Sequence, residues 1–490
     1  MNIILFEIKN LRGVTLMKKI KALSLILSMF MLVSVAACSN SGTSDGEASA
    51  STAATAAGTT GGSAAAPAVD TINMWSNDTH DQSVYNKVIE DFNNTTGKEK
   101  GIVVNYTVYG SDYYNALDVA VTAGEGPDIF KSNKVGKYSE AGYIMPWEDI
   151  PALKTFVDRF ASYNAPGYGV FGGKTYAVPI RVTNYGLALN MDIFKKNNLK
   201  EPTTWDEMRE AAKVITKNGK GQIYGYDLAM GYGSYNYFYV NLPSAATTGD
   251  EYFNHTTGKY NFVALEGFFN HLRDIIKDGS MFPGFETMDG DTARAQFSAG
   301  NIGMVGVMSS DVATFKNQFP CNFEWKVIPY PVKDASQHYK YPTGVSLSYV
   351  ISSDVAKKGV QDKVADFLNV LYSDQTFVDT YQNQFDISIL GDEITSKASV
   401  DKLDPNWITF SDMDIFAIKK PNPDSDLSVE GESFQDVYNK IITGMVDAKT
   451  ALADLDKRYN AALDTAVKDG KVKIDDYIDK NISEKMAWKK

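Results

Sequence analysis

The chain has 490 residues and a formal net charge of −12, from 48 Lys and Arg against 60 Asp and Glu. That acidic balance argues against a nucleic-acid partner, whose phosphates demand clustered positive charge. Only two cysteines are present, Cys38 and Cys321, so no disulfide framework holds the fold, and 44% hydrophobic residues must supply a core large enough for two domains.

The N-terminal run Met17-Lys18-Lys19-Ile20-Lys21 is followed by an uncharged stretch from Ala22 and then Val35-Ala36-Ala37-Cys38. Lysines make a positive n-region, the apolar stretch is shorter than the roughly 20 residues of a membrane span, and small residues precede the cysteine. Residues 1–37 therefore read as a lipoprotein signal peptide, with Cys38 as the lipidated first residue of the mature chain. A short transmembrane anchor is the plainer alternative. Arg12-Gly13 shortly before Met17 suggests Met17 rather than Met1 as the start. From Cys38 to residue 68 the chain is Ser, Gly, Ala and Thr with no large apolar side chain, which cannot repay the entropy of ordering and reads as a tether.

The first expected strand is Thr71–Trp75, followed by a helix from Asp81 to Thr96 with Val84, Val88, Ile89 and Phe92 on one face and Gly97 as its stop. Alternation over Ile102–Tyr109 predicts a strand, Asp112–Ala123 a helix, and Gly124-Glu125-Gly126-Pro127 a loop before a strand opening at Asp128. Strand and helix in alternation imply parallel strands joined by crossover helices. Gly172-Gly173 turns a hairpin, Tyr185–Asn190 is a strand, and a helix follows from Met191. Thr204-Trp205-Asp206-Glu207 has the capping-box order and predicts a helix to Asn218, and Tyr226–Met230 reads as a strand. Helices are expected at Val263–Lys277, Asp291–Ser298 and Val360–Tyr372, and strands near Trp325–Ile328 and Ser346–Ser352. The last hundred residues read as mainly helical, with Ala448–Val467 the clearest amphipathic stretch.

Four stretches, in order, resemble the extracellular solute-binding proteins of ABC importers that bind sugars and oligosaccharides. They are Gly124-Glu125-Gly126-Pro127-Asp128-Ile129; Gly173-Lys174-Thr175-Tyr176-Ala177-Val178-Pro179 with Leu187-Ala188-Leu189-Asn190 and Pro202–Glu207; Phe297-Ser298-Ala299-Gly300-Asn301-Ile302-Gly303-Met304; and Thr443–Ala466. The resemblance implies an α/β, two-lobed periplasmic-binding-protein type II fold with a ligand cleft. Three crossings would join the lobes, near Arg181–Asn184, Trp325–Pro329 and Gln384–Ser388. The lobes would comprise residues 69–180 with 329–385, and 185–325 with 388–490. Two departures stand out: Val307-Met308-Ser309 where the family often has a Trp, and Thr183-Asn184 where it often has an acidic residue.

Loops at the carboxyl ends of strands are where open α/β sheets bind ligands. Trp75, Ser76, Asn77 and Asp78 end the first strand, with Trp75 offering a ring face to a sugar and Asp78 a carboxylate to its hydroxyls; the structural alternative is a core Trp and a helix-capping Asp. Lys131, Ser132 and Asn133 end the strand opened at Asp128, and Arg181, Thr183, Asn184 and Tyr185 lie beside a crossing. Tyr232, Tyr235 and Tyr237 sit in a Gly- and aromatic-rich loop that suits stacking or packing on its own lobe. Met308, Ser309 and Gly344 are placed at the cleft by the resemblance alone.

Gly173-Lys174-Thr175 imitates the end of a phosphate-binding loop but lacks its earlier glycine in step. His80, His255, His271 and His338 lack metal-ligand spacing, and Asp424-Ser425-Asp426 lacks the glycine of a calcium loop and reads as a solvated acidic turn. Neither a cofactor nor a metal is expected. The resulting expectation is a monomeric, lipid-anchored receptor on the outer face of a Gram-positive cell membrane, passing a saccharide unchanged to ABC permease subunits. A surface glycoside hydrolase is a second reading. A third is a receptor for a peptide or acidic ligand, with Arg181 and Lys131 as its charge site.

Overall fold

The computed structural model describes residues 69–486 apart from 111, 232–241, 250, 337, 400, 402 and 419. Cys38, the leader, the tether and Tyr232, Tyr235 and Tyr237 lie outside the described residues.

The strands that build the frame are β1 (Asp70–Ser76), β2 (Ile102–Val108), β3 (Ile129–Phe130), β4 (Ile144–Met145), β5 (Pro179–Thr183), β6 (Tyr185–Asn190), β7 (Tyr224–Asp227), β8 (Ile302–Met308), β9 (Trp325–Ile328), β10 (Gly344–Leu347), β11 (Val350–Ser352) and β12 (Ile387–Ser388). The main helices are α1 (Gln82–Asn94), α2 (Tyr113–Ala123), α3 (Trp205–Gly219), α4 (Glu266–Lys277), α5 (Gly290–Ser298), α6 (Gln361–Leu371), α7 (Asp374–Gln382), α8 (Phe434–Ile442) and α9 (Ala448–Lys468). A first sheet runs β2-β1-β3-β11-β4, a second β7-β8-β6-β9, and a three-stranded sheet β10-β5-β12 contains the strands that lead between them. This is the expected two-lobed α/β fold.

Strand β1 alternates Ile72 and Met74, both fully buried, with more exposed neighbours, as one core-facing side of a pleat requires. It pairs in parallel with β2 and β3, as the strand–helix rhythm demands. The rhythm overstates the parallel content elsewhere: β11 is antiparallel to both neighbours, and β6 is antiparallel to β8 and β9. A chain that crosses between sheets enters each new one from its far end, which local periodicity does not record.

Helix α3 begins on the expected capping box, with the Thr204 side chain accepting from Glu207 N and the Glu207 carboxylate accepting from Thr204 N. Gly97 is not the stop of α1. A short helix, Thr96–Lys100, follows it and ends at Gly101, which has φ 67°. Gly97 is instead a close-packing position, where a Cβ would lie 2.8 Å from Ile102 O and 2.9 Å from Phe92 O.

Two further expectations shift. The strand read as Tyr226–Met230 runs over Tyr224–Asp227 and ends before Ala229, whose φ of 48° does not continue a strand. The segment read as one strand at Ser346–Ser352 is two: β10 lies against β5 and β11 against β3, with a register irregularity at Ser346/Leu347. Trp325–Ile328, expected near the middle crossing, is strand β9 of the second sheet, and the chain pairs with β5 only further on, at β10.

Candidate functional site

The loop that leaves β1 and enters α1 carries Asp78, His80 and Asp81. Asp81 is the N-cap of α1, yet its side chain makes no cap bond; its backbone oxygen accepts from Val84 N at 3.0 Å and Tyr85 N at 3.2 Å. The carboxylate is fully buried and turns to Arg181 of β5. Arg181, only 5% exposed, donates from Nη1 to Asp81 Oδ2 at 2.6 Å and to Asp386 Oδ2 at 2.7 Å, and from Nη2 to Asp78 Oδ2. His80 Nε2 lies 3.1 Å from Asp386 Oδ1. Lys131, at the end of β3, donates to Leu347 O at 2.7 Å, lies 3.5 Å from Asp78 Oδ2 and sits 5.4 Å from the Tyr349 ring centre.

Three carboxylates thus face Arg181, Lys131 and a protonated His80, and the cluster is close to neutral. Burial alone would drive each group toward its uncharged form. For Asp78 that push is outweighed by Lys131 and Arg181, which hold the carboxyl well below its usual range. Burial would likewise raise Asp386, but Arg181 and His80 pull it down to about 2. Burial would lower His80, whereas Asp386 and Asp81 raise it to about 9. Asp81 goes the other way, up to about 6, because burial and two neighbouring carboxylates outweigh His80 and Arg181. One nitrogen of His80 and one oxygen each from Asp81 and Asp386 lie within 4.8 Å of one another. The same two carboxylates are already bound through their Oδ2 atoms by the Arg181 guanidinium.

Beside this cluster, half-buried Trp75 packs on Tyr109, ring centres 4.7 Å apart at 51°, and the row continues through Tyr113 at 5.9 Å to Tyr114 at 5.0 Å. The Tyr113 hydroxyl is placed to donate to Lys131 O at 2.7 Å and to Trp75 O at 3.2 Å, tying the ends of β1 and β3 together. Ser76 is buried and its Oγ accepts from Asp78 N at 3.0 Å, while Asn77 is half-buried. The Ser132 hydroxyl accepts from Lys134 N at 3.0 Å, and Asn133 is exposed.

A second group of expected residues meets at the crossing from β5 to β6. Gly344 pairs with Thr183, and Tyr185 with Met308. Asn184 is buried, donates from Nδ2 to Phe410 O at 2.7 Å, and accepts from Ser309 N at 2.8 Å on its backbone oxygen. A Cβ on Gly344 would come within 2.4 Å of the Tyr185 hydroxyl, so only glycine lets the two crossings approach this closely.

The sequence reading missed His80, Asp81, Asp386 and Tyr109. Tyr109 directly follows β2 and was open to the same strand-end rule that picked out Trp75. Asp386 falls within an expected crossing, whereas His80 stands in the sequence as a histidine without metal-ligand spacing. Two other side features resolve. Thr175 N donates to Glu148 Oε1 at 2.9 Å, so a carboxylate sits where a phosphate-binding loop would hold its anion. Asp424 and Asp426 are not merely solvated: Asp424 accepts from Tyr252 at 3.0 Å and from Tyr260, and Asp426 from Tyr477 at 2.9 Å, so they staple their turn to the fold.

Comparison with known proteins adds an independent line. The profile described as bacterial extracellular solute-binding protein matches residues 76–376. The melibiose/raffinose/stachyose-binding protein MelE of Bacillus subtilis is 27% identical over 173 residues, 34% of this chain and 39% of MelE. The maltotriose-binding protein of Pyrococcus abyssi is 26% identical over 246 residues, 49% of this chain and 50% of that protein. The chain thus spans half or less of the length of these two relatives. Among solved structures, the maltose/maltodextrin-binding domain MalE of Bdellovibrio bacteriovorus bound to maltotriose superposes with a TM-score of 0.61 at 17% identity, covering 81% of this chain and 100% of that one. The GacH receptor of Streptomyces glaucescens gives 0.62 at 18% identity, covering 80% and 98%.

Proposed function

Because this chain belongs to the bacterial extracellular solute-binding protein family, we propose that it is a lipid-anchored receptor that binds a neutral saccharide between its two lobes and passes it unchanged to an ABC permease. The observation that carries the reading is the fate of the two cations once assigned to an acidic ligand. Arg181 is engaged by three carboxylates and Lys131 by Asp78 and Leu347 O, leaving no unpaired positive charge in the cluster. An incoming carboxylate would have to displace a buried ion pair, at a cost of several kcal/mol. A neutral sugar need not, and the half-buried rings of Trp75, Tyr109 and Tyr114, backed by buried Tyr113, would supply faces for its C–H surface.

The same geometry weighs against glycoside hydrolysis. A hydrolase needs two carboxyl groups flanking an open substrate position. Asp78, Asp81 and Asp386 instead converge on one guanidinium. Because the chain reaches strand β5 again only at β10, we move the middle crossing there and divide the lobes as residues 69–180 with 348–385, and 185–343 with 388–490. The anchor would be Cys38, placing the receptor as a monomer on the outer membrane face. Among the described residues no helix is long and apolar enough to cross a membrane.

The test is a thermal-shift screen with maltotriose, raffinose, melibiose and an oligogalacturonate. A bound sugar at a hundredfold excess over Kd adds about 2.7 kcal/mol of stability. We expect a shift with a neutral sugar, its loss in Trp75→Ala, and recovery of the sugar intact. A shift with the uronate alone, or cleaved products, would refute the proposal.

A further inference from the structure

The charge cluster does more than exclude anions, because of where its members lie in the chain. Asp386 immediately precedes β12, the third crossing, and β12 pairs with β5 through Ile387↔Val182 and Ser388↔Arg181. Arg181 therefore belongs to the strand that β12 lies against, and its side chain reaches back to Asp386. His80, from the loop after β1, grips the other oxygen of the same carboxylate. One carboxylate is thus held from two sides, by the hinge sheet and by the first lobe. The segment it anchors is short and strained: β12 has two residues, and Gln384, two positions before Asp386, holds φ 61°, a left-handed conformation that costs a non-glycine residue of order 1 kcal/mol. The turn itself is closed by the end of α7, where Gln384 N donates to Tyr381 O and Phe385 N to Thr380 O, both at 2.9 Å, and the grip on Asp386 fixes the chain as it leaves that turn.

We propose that His80, acting with Arg181 through Asp386, is a latch that pins the third crossing to the loop after β1, so that the charge on His80 controls how freely the lobes hinge. His80 is a positioning residue in this account. The consequence for ligand binding rests on the receptor reading above, whereas the latch itself does not.

The groups that face His80 are few. Asp386 approaches from the start of β12, Asp81 and Asp78 lie in its own loop, Arg181 comes from β5, and Lys131 stands beyond Asp78 at the end of β3. The nearby phenols of Tyr85, Tyr349 and Tyr372 are pushed upward by burial and stay neutral throughout the range that matters.

The test needs no ligand. Amide hydrogen exchange of the full chain is followed by mass spectrometry in a peptide covering residues 385–391, with α4 in the other lobe as reference. At about pH 7, His80→Gln should lose about tenfold in protection over 385–391, His80→Lys should stay within about threefold of wild type, and α4 should be unchanged. No change in His80→Gln, or equal loss in both variants, overturns the proposal, because charge would then be irrelevant. If a variant loosens everywhere, wild type decides. Its protection at 385–391 relative to α4 should fall about fivefold between about pH 7 and about pH 9.5, and a constant ratio overturns the latch. Sugar affinity enters none of these outcomes, so the latch and the receptor reading fail separately.

Discussion

Raising the pH from about 6.5 to about 9.5 should remove the stability that His80 contributes to the fold. In an unfolded chain the imidazole titrates near 6.5. In the folded one, burial is overcome by Asp386 and Asp81, and the value rises to about 9. A raised value means that the contribution is complete below about pH 6.5 and is lost as the pH climbs through about 9. A gap of about 2.5 pH units is worth about 3 kcal/mol. Because 29% of the side-chain surface stays exposed, solvent screening leaves about 1–2 kcal/mol of that. At this chain length each kcal/mol moves the midpoint by about 1–2 °C, so the expected effect is about 2 °C. The three carboxyls of the cluster act lower, Asp78 being held down like Asp386, while Lys131, which burial lowers, is common to both proteins in the comparison below. Asp81, raised to about 6, destabilises as the pH rises from about 4 to about 6, and Asp386, lowered to about 2, contributes above about pH 4 and loses that only in strong acid. Paired melts of wild type and His80→Gln therefore isolate the imidazole: the gap should be about 2 °C at pH 6.5 and close to zero at pH 9.5. An equal gap at both values would refute the ion pair as the source.

Arg181→Ala should cost about 3–5 kcal/mol in urea unfolding, since it strands three carboxylates in a buried site. Gly344→Ala should destabilise by about 1–3 kcal/mol in the same assay, because its Cβ would meet the Tyr185 hydroxyl at 2.4 Å. Thr204→Ala removes the capping box of α3 and should lower stability by about 1 kcal/mol with no effect on sugar-induced thermal shifts, which separates a scaffold residue from a site residue.

Elements whose signals are local were legible. The capping box at Thr204, the strand at Tyr185–Asn190 and the amphipathic helix α9 stand where periodicity and cap chemistry put them. Gly97 misled because a glycine required for close approach and one required for a positive φ look identical in a sequence, and the latter sits four residues on at Gly101. Which sheet β9 and β10 join was not legible, because both are four-residue strands whose partners lie far along the chain.

The site divides in the same way. Trp75, Asp78 and Lys131 follow from the rule that picks out strand ends, and the structure brings Asp78 and Lys131 together in one charge cluster with Trp75 beside it. What that rule cannot convey is how charges combine. Arg181 and Asp386 are 205 positions apart, and His80 and Asp386 are 306 apart. Read singly, Arg181 and Lys131 are cations awaiting an anionic ligand, and His80 is a histidine without a metal partner. Brought together they neutralise three carboxylates and are engaged with one another rather than awaiting an anion. On the receptor reading we propose, the surface offered to a ligand is the half-buried rings of Trp75, Tyr109 and Tyr114, which would discriminate by shape and C–H contact rather than by charge.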